Sequence, residues 1–175
     1  DLFTLSKSDE GIIALDLKTI NLGSIIEEVC KHAEVLAAER NVKITVLALE
    51  PVCIEGDAYR LRQLIWNLLH NGIKYSPAGG EVKVSLQNKD ESACLTVEDN
   101  GIGIPAGDLP LIFNRFYRVD KARTRDDRGT GLGLSISKFI VESHKGQIDV
   151  ESQVGVGSKF KVSIPRSGKA DPVEV

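Results

Sequence analysis

The chain has 175 residues, 42% of them hydrophobic and 27% charged, which suits one soluble domain with a core of its own. A net charge of -3 and a pI near 5.7 exclude a basic footprint for nucleic acid, so any polyanion has to be gripped locally. The apolar runs fall short of the roughly 18 residues that a membrane-spanning helix needs, and the first residues do not read as a signal peptide.

Cys30, Cys53 and Cys94 are odd in number and scattered, without the paired spacing of a zinc site or a disulfide framework. Their apolar neighbours predict buried free thiols, which suits a reducing compartment. The chain starts at Asp1 and contains no methionine, so it is expected to be a fragment of a longer protein.

Leu2–Ser8 reads as the end of a helix that begins before the chain does, broken by Gly11 and Ile12. Ala14–Ile20 alternates apolar and polar residues, the pattern of a half-buried strand. Asn21 is a good N-cap for a helix with Leu22, Ile25, Ile26, Val29 and Ala33 at helical spacing, running to about Arg40 and closed by Asn41. Lys43–Leu49 reads as a second strand, ended by Pro51. Asp57 caps the next helix, which Pro77, Gly79 and Gly80 stop.

Glu81–Gln87 and Ala93–Glu98 have period two and a polar link at Asn88–Glu91, a hairpin. From Asp99 to Thr130 the pattern dissolves into a long segment rich in Gly and Pro, a length that is usually functional or disordered. Leu132–Ser143 is helical again. Gln147–Gln153 and Lys159–Ile164 form a last hairpin around Gly155 and Gly157, and the tail from Arg166 to Val175 has the composition of a frayed end. About six strands and three long helices predict an α/β two-layer sandwich, its mixed sheet covered by helices on one face.

The helix capped by Asp57 contains QLIWNLLHNGIKYS. At 100° per residue Leu61, Leu64, Leu68 and Gly72 share one face, while Asn67, Asn71 and Lys74 line another at i, i+4 and i+7. Asparagine propagates a helix poorly, so this line is either two tolerated residues on a solvated face or a polar wall turned towards a ligand.

Three further segments carry chemistry. In Asp99-Asn-Gly-Ile-Gly-Ile-Pro, Gly101 and Gly103 permit close backbone approach and Asp99 is a fixed acceptor for a donor such as an exocyclic amine; a plain turn is the alternative. In Gly129-Thr-Gly-Leu-Gly-Leu, glycines at a helix N-terminus leave amides to point at an anion; a flexible linker is the alternative, against which Leu132 and Leu134 speak. In Phe113-Asn-Arg-Phe-Tyr-Arg, two phenylalanines anchor a segment from which Arg115 and Arg118 reach phosphate oxygens, and the mixed-charge run Asp120–Arg128 suits a mobile lid. A GxxxxGK motif followed by Ser or Thr is missing, so a P-loop is excluded.

The order NLLHNGIKYS, DNGIGIP, IFNRFYR and GTGLGLSI resembles the N, G1, F and G2 boxes of sensor histidine kinases. Over about Leu15 to Pro165 the chain looks like their catalytic ATP-binding domain. The resemblance implies the Bergerat fold, with residues 1–10 the tail of a dimerisation helix, 11–166 the catalytic domain with a mobile ATP lid at about 105–130, and 167–175 a flexible tail.

Residue by residue, the resemblance gives Asn71 to the Mg²⁺ that bridges the ATP phosphates, and Asn67 to a second polar contact there. Lys74 neutralises phosphate charge and Tyr75 lies along the adenine or ribose. Asp99 accepts from the adenine N6 amine, with Gly101, Gly103 and Ile104 in the base pocket. Arg115 or Arg118 approaches the γ-phosphate, and the amides of Gly129, Thr130, Gly131, Leu132, Gly133 and Leu134 hold the phosphate chain. The implied reaction is transfer of the γ-phosphoryl group to a histidine on a separate dimerisation domain, for relay to the receiver domain of a response regulator. The isolated fragment would be monomeric, and its parent a homodimer often anchored in the membrane, with this domain in the cytosol.

Two features depart from the pattern. Gly72 follows Asn71 where the family usually shows alanine, a cost of roughly 0.5–1 kcal/mol in a helix that close packing against the sheet would explain. His32, His70 and His144 lie outside the His-Glu/Asp-Leu-Arg-Thr-Pro context of a phospho-acceptor. His70 reads as an ordinary exposed residue, and His32 and His144 as structural residues without partners. The same fold also serves ATPases such as type II topoisomerases and heat-shock chaperones, which carry a glutamate four residues before the metal asparagine to activate water. Here that position is Asn67, which disfavours hydrolysis. A serine kinase of the anti-sigma type is a further alternative.

Overall fold

The computed structural model describes residues 15–119 and 130–166. The expectations for Leu2–Ser8, for the lid run Asp120–Arg128, for Gly129 and for the tail beyond Arg166 lie outside the described residues.

Strand β1 (Lys18–Asn21) leads directly into helix α1 (Leu22–Glu39). Asn21 ends one and caps the other, its Oδ1 accepting the Ser24 N–H at 3.3 Å. Asn41, at φ 53°, closes the helix in the left-handed region that asparagine tolerates better than most residues. Then come β2 (Lys43–Leu49), β3 (Cys53–Gly56) and helix α2 (Ala58–Tyr75). The Asp57 carboxylate takes the N–H groups of Tyr59 and Arg60 at 3.0 and 3.1 Å, the cap its sequence position predicts.

The β4 strand (Glu81–Lys89) and β5 (Ser92–Asp99) form an antiparallel hairpin. It is longer than expected because the reversal needs only Asp90 and Glu91, both at positive φ. Helix α3 (Gly133–Ser143) and the antiparallel pair β6 (Gln147–Gln153) and β7 (Gly157–Pro165) complete the chain.

The main sheet has five strands in the order β2-β4-β5-β7-β6. Only β2 and β4 run parallel, as the crossover through α2 requires; the other neighbours are antiparallel. The three helices cover one face. Leu61, Leu64, Ile65, Leu68, Leu69 and Ile73 of α2 are at most 1% exposed, packed in one core with Val82, Val84 and Leu86 of β4 and Ile26 of α1. The other face carries cross-strand charge pairs such as Lys159 with Glu98 at 3.1 Å, each worth little in solvent. The α/β two-layer sandwich is therefore observed as expected.

Two details differ. The first strand is Lys18–Asn21 rather than Ala14–Ile20, and it pairs antiparallel with β3 in a separate two-stranded sheet. Strand β3 was not expected at all: four residues between Pro51 and Asp57 are too few for alternation to register. The described residues thus hold seven strands rather than six.

Candidate functional site

Helix α2 has its apolar stripe against the sheet, and Asn67, Asn71 and Lys74 lie half-buried on another side. Asn67 is turned towards α3: its Nδ2 donates to the carbonyl of Gly133 at 3.1 Å, and the Ser137 hydroxyl donates to the same oxygen at 2.9 Å. One of the two amide N–H donors is thereby used, and the carbonyl of the Asn67 side chain remains as an acceptor. Among the described residues, no three His, Cys, Asp or Glu side chains form a metal cluster. A magnesium ion here would have amide oxygens as its protein donors, which suits a cation that keeps waters and travels with phosphates.

Lys74 and Tyr75 end the helix, the ammonium 5.0 Å from the centre of the Tyr75 ring. The tyrosine ring is 43% exposed. Its backbone does other work, because the Tyr75 carbonyl accepts the Ile102 N–H at 3.1 Å. Gly72, one turn earlier, meets the sheet as expected. A Cβ there would stand 3.1 Å from one Val82 methyl and 3.7 Å from Asp99 Cβ.

Asp99 ends β5. Its Oδ1 accepts from the backbone of Gly101 at 2.8 Å and of Ser158 at 3.3 Å. Burial pushes the carboxyl above the ordinary carboxylate range, against the pull of those two N–H groups. The loop that follows is fixed on both sides. A Cβ on Gly101 would lie 2.5 Å from the Tyr75 carbonyl, and one on Gly103, at φ 71°, would lie 2.0 Å from the Gln153 carbonyl. Only glycine fits either place. The Gly155 N–H donates to the Ile102 carbonyl at 2.9 Å, and the Ile104 N–H donates to Ser152 Oγ at 2.8 Å.

On the other side of α2, Leu132 is buried and starts α3 without a side-chain cap, so the first amides of the helix are not taken by its own N-cap residue. Gly131, at φ 70°, accepts the Phe116 N–H at 3.0 Å. The F-box and G2 segments therefore meet through their backbones. Thr130 is exposed and Leu134 half-buried. Phe113 is half-buried beneath the Lys138 ammonium, 6.0 Å from its ring centre, and Tyr117 donates its hydroxyl proton to Asp108. That bond holds the Tyr117 phenol above its ordinary pKa. Arg115 is exposed and Arg118 half-buried on the same stretch.

A hollow of about 390 Å³ lies behind this region. It is lined by the solvent-facing Glu81, Lys83, Glu98, Glu151 and Lys159 together with Asp99, Ser152 and Ser158 at the same end of the sheet.

Three parts of the site escaped the sequence reading. Asn100 Oδ1 takes the Glu81 N–H at 2.8 Å and ties the loop to the start of β4. Ser152 and Ser158 sit on the helix-facing side of β6 and β7, in rows otherwise filled by Ile148 and Val150 and by Phe160, Val162 and Ile164. A serine breaking such an apolar alternation was the signal available. His144 needs a correction as well. It is buried, and it has partners: the Asp57 N–H donates to Nε2 at 3.0 Å, leaving Nδ1 to donate to the Ile140 carbonyl at 2.7 Å. His70 is half-buried and stacks on Trp66, with ring centres 6.2 Å apart.

Residues 56–168 match the model of the family described as histidine kinase-, DNA gyrase B-, and HSP90-like ATPase. The sensor-like histidine kinase SenX3 of Mycolicibacterium smegmatis is 39% identical over 94% of this chain and 43% of its own length. Among solved structures, the mycobacterial sensor histidine kinase MprB superposes with a TM-score of 0.77 at 29% identity, covering 85% of this chain and 98% of that one. Full-length ShkA in complex with AMPPNP gives 0.80 at 25% identity, covering 92% and 33%. The chain spans under half the length of the curated relatives it matches. With the sandwich, the four boxes in place around α2 and these likenesses together, the chain belongs to the histidine kinase-, DNA gyrase B-, and HSP90-like ATPase family, as an ATP-binding catalytic domain of the histidine kinase kind.

Proposed function

We propose that this domain binds ATP with magnesium and presents the γ-phosphoryl group to a histidine on a dimerisation segment of the same kinase. An imidazole nitrogen attacks the γ-phosphorus, the bond to the β–γ bridging oxygen breaks, and ADP leaves with that electron pair. The phosphohistidine then passes its phosphoryl group to an aspartate on a response regulator. The names of the relatives support this reading, and the AMPPNP bound to ShkA supports a nucleotide in the corresponding site here.

In this reading Asp99 accepts from the adenine amine at one end, with Gly101, Gly103 and Ile104 shaping the base pocket and Tyr75 against the nucleoside. Asn71 would hold the metal, with Asn67 as a second polar contact. Lys74, Arg115 or Arg118, and the backbone from Gly129 to Leu134 meet the phosphates. Magnesium, when bound, would supply neutralisation of the phosphate charge. Positioning and electrostatics of this sort are most of what phosphoryl transfer asks of a protein.

The observation that carries the reading is the state of Asn67. At the position where related ATPases place a water-activating glutamate, this chain has an amide, one of whose two N–H groups is bonded to Gly133. It offers no proton acceptor of useful basicity to a water. With γ-labelled ATP and no partner, phosphate release is expected to stay at background, and adding a histidine-bearing dimerisation segment moves the label onto that segment. Sustained release without the partner would shift the reading to the ATPases.

A further inference from the structure

Ser152, Ser158 and Asp99 lie in one row across three adjacent strands, Ser152 opposite Ser158 and Ser158 opposite Asp99. The Ser152 hydroxyl has three neighbours: the Ile104 N–H at 2.8 Å, the Gly157 carbonyl at 2.8 Å and the Ser158 hydroxyl at 2.9 Å. A hydroxyl has one proton and two lone pairs. The amide can only donate, so one lone pair takes Ile104. The carbonyl can only accept, so the single Ser152 proton goes to Gly157. The remaining contact is then fixed in direction: Ser158 donates its proton to Ser152.

This has a consequence for the base pocket. Ser158, 7% exposed, has spent its only proton and keeps acceptor capacity alone. Beside it, Asp99 takes the Ser158 N–H on Oδ1 and takes nothing from the described residues on Oδ2. The floor of the pocket therefore faces a ligand with acceptors.

We propose that Ser152 is a positioning residue that sets the direction of the Ser158 proton and so makes the floor select a purine with an amino group at C6 over one with a carbonyl there. The proposal rests on the reading of Asp99 as the group that meets the base. A pocket built from fixed acceptors discriminates by leaving a mismatched acceptor unpaired, not by bulk. Without Ser152 the Ser158 hydroxyl rotates, and its proton can serve a carbonyl on the ligand.

The experiment is a calorimetric titration of the chain with ATP and with inosine triphosphate, which carries the carbonyl, in magnesium. Wild type is expected to prefer ATP, and Asp99→Asn to lose that affinity. Ser152→Ala should reduce the ratio of ATP to inosine triphosphate affinity by about three- to tenfold, the worth of one hydrogen bond, and Ser152→Thr should restore it. A merely structural role would weaken both nucleotides equally and leave the ratio unchanged, which would overturn the proposal. Should Ser152→Ala fail to fold, Ser158→Ala keeps the test open, since it leaves Ser152 bonded to Ile104 and Gly157 while removing the acceptor; there too an unchanged ratio counts against the proposal. Indifference of wild type to the purine, or of ATP affinity to Asp99→Asn, would sink the reading of Asp99 itself, a result distinguishable from failure at Ser152 alone.

Discussion

Asp99 combines two demands that oppose each other. Its burial works against the ionised form, while the proposed role as acceptor for the base is best served by the ionised form. Because the folded state raises its pKa, the carboxyl contributes stability that is present below the unfolded value of about 3.8 and is lost as pH rises through the folded value. At neutral pH the ligand-free domain thus carries an unfavourable charge. Asp99→Asn is expected to leave the thermal midpoint at pH 7 unchanged or higher while cutting ATP affinity at least about tenfold, as for a hydrogen bond to a charged group. A lowered midpoint with intact affinity would contradict this. ATP affinity should also fall as pH drops through the raised Asp99 value, a slope absent from Asp99→Asn.

Gly72 gives a milder prediction at the same scale. Alanine there gains helix propensity of about 1 kcal/mol and needs Val82 to yield a few tenths of an ångström. Gly72→Ala should change stability by less than about 1 kcal/mol and leave ATP affinity within about twofold of wild type. Chemical denaturation and the same titration check both.

At the level of elements, α2 is held at its N-terminus and along its side by contacts its own sequence does not show. Its N-terminal cap, Asp57, has its backbone N–H taken by His144 at the end of α3. On its side, Asn67 reaches the start of α3. His144→Ala would remove the partner of the half-buried Asp57 N–H and empty a buried position, and is expected to cost about 1–3 kcal/mol. Removing the exposed α1–α2 ion pair between Glu28 and Arg62, bidentate though it is at 2.8–3.1 Å, should cost under about 1 kcal/mol. Equal losses for the two would undo this ranking.

Local signals carried the long elements well, because caps such as Asn21 and Asp57 and the stripe of α2 are written in consecutive residues. Pairings across dozens of residues are not. The bond from Asp57 to His144, the β1–β3 pair and the Ser152–Ser158 contact all join segments whose proximity only the packed sheet creates. The four boxes were legible as a set, although their meeting through the Phe116 and Gly131 backbones was not.

For the whole molecule, the two-layer arrangement gives the two faces of the sheet different characters. The helix-facing side of the sheet is core except for the row of Ser152, Ser158 and Asp99 at one end, and the reverse face is covered with paired charges. The order of strands followed from hairpins and one crossover, whereas the separate small sheet did not, since its strands are too short to show a period. The same burial protects two of the three thiols, whereas Cys94, expected to be buried, is only half-buried. Cys30 is 3% exposed, with its pKa pushed up to about 11 by burial, and Cys53 is equally buried. A thiol reagent at pH 8 is expected to label Cys94 first in the folded protein and all three cysteines only on unfolding; labelling of native Cys30 at the rate of a free thiol would contradict the packing of α1.

The central claim, transfer to a histidine rather than to water or a hydroxyl, is tested most directly by the chemical stability of the phosphorylated product. The chain is incubated with γ-labelled ATP, magnesium and a histidine-bearing dimerisation domain of a matching kinase. The account predicts protein-bound label that is lost in acid and survives base. Label that survives acid, or that is released by base or hydroxylamine, would contradict it.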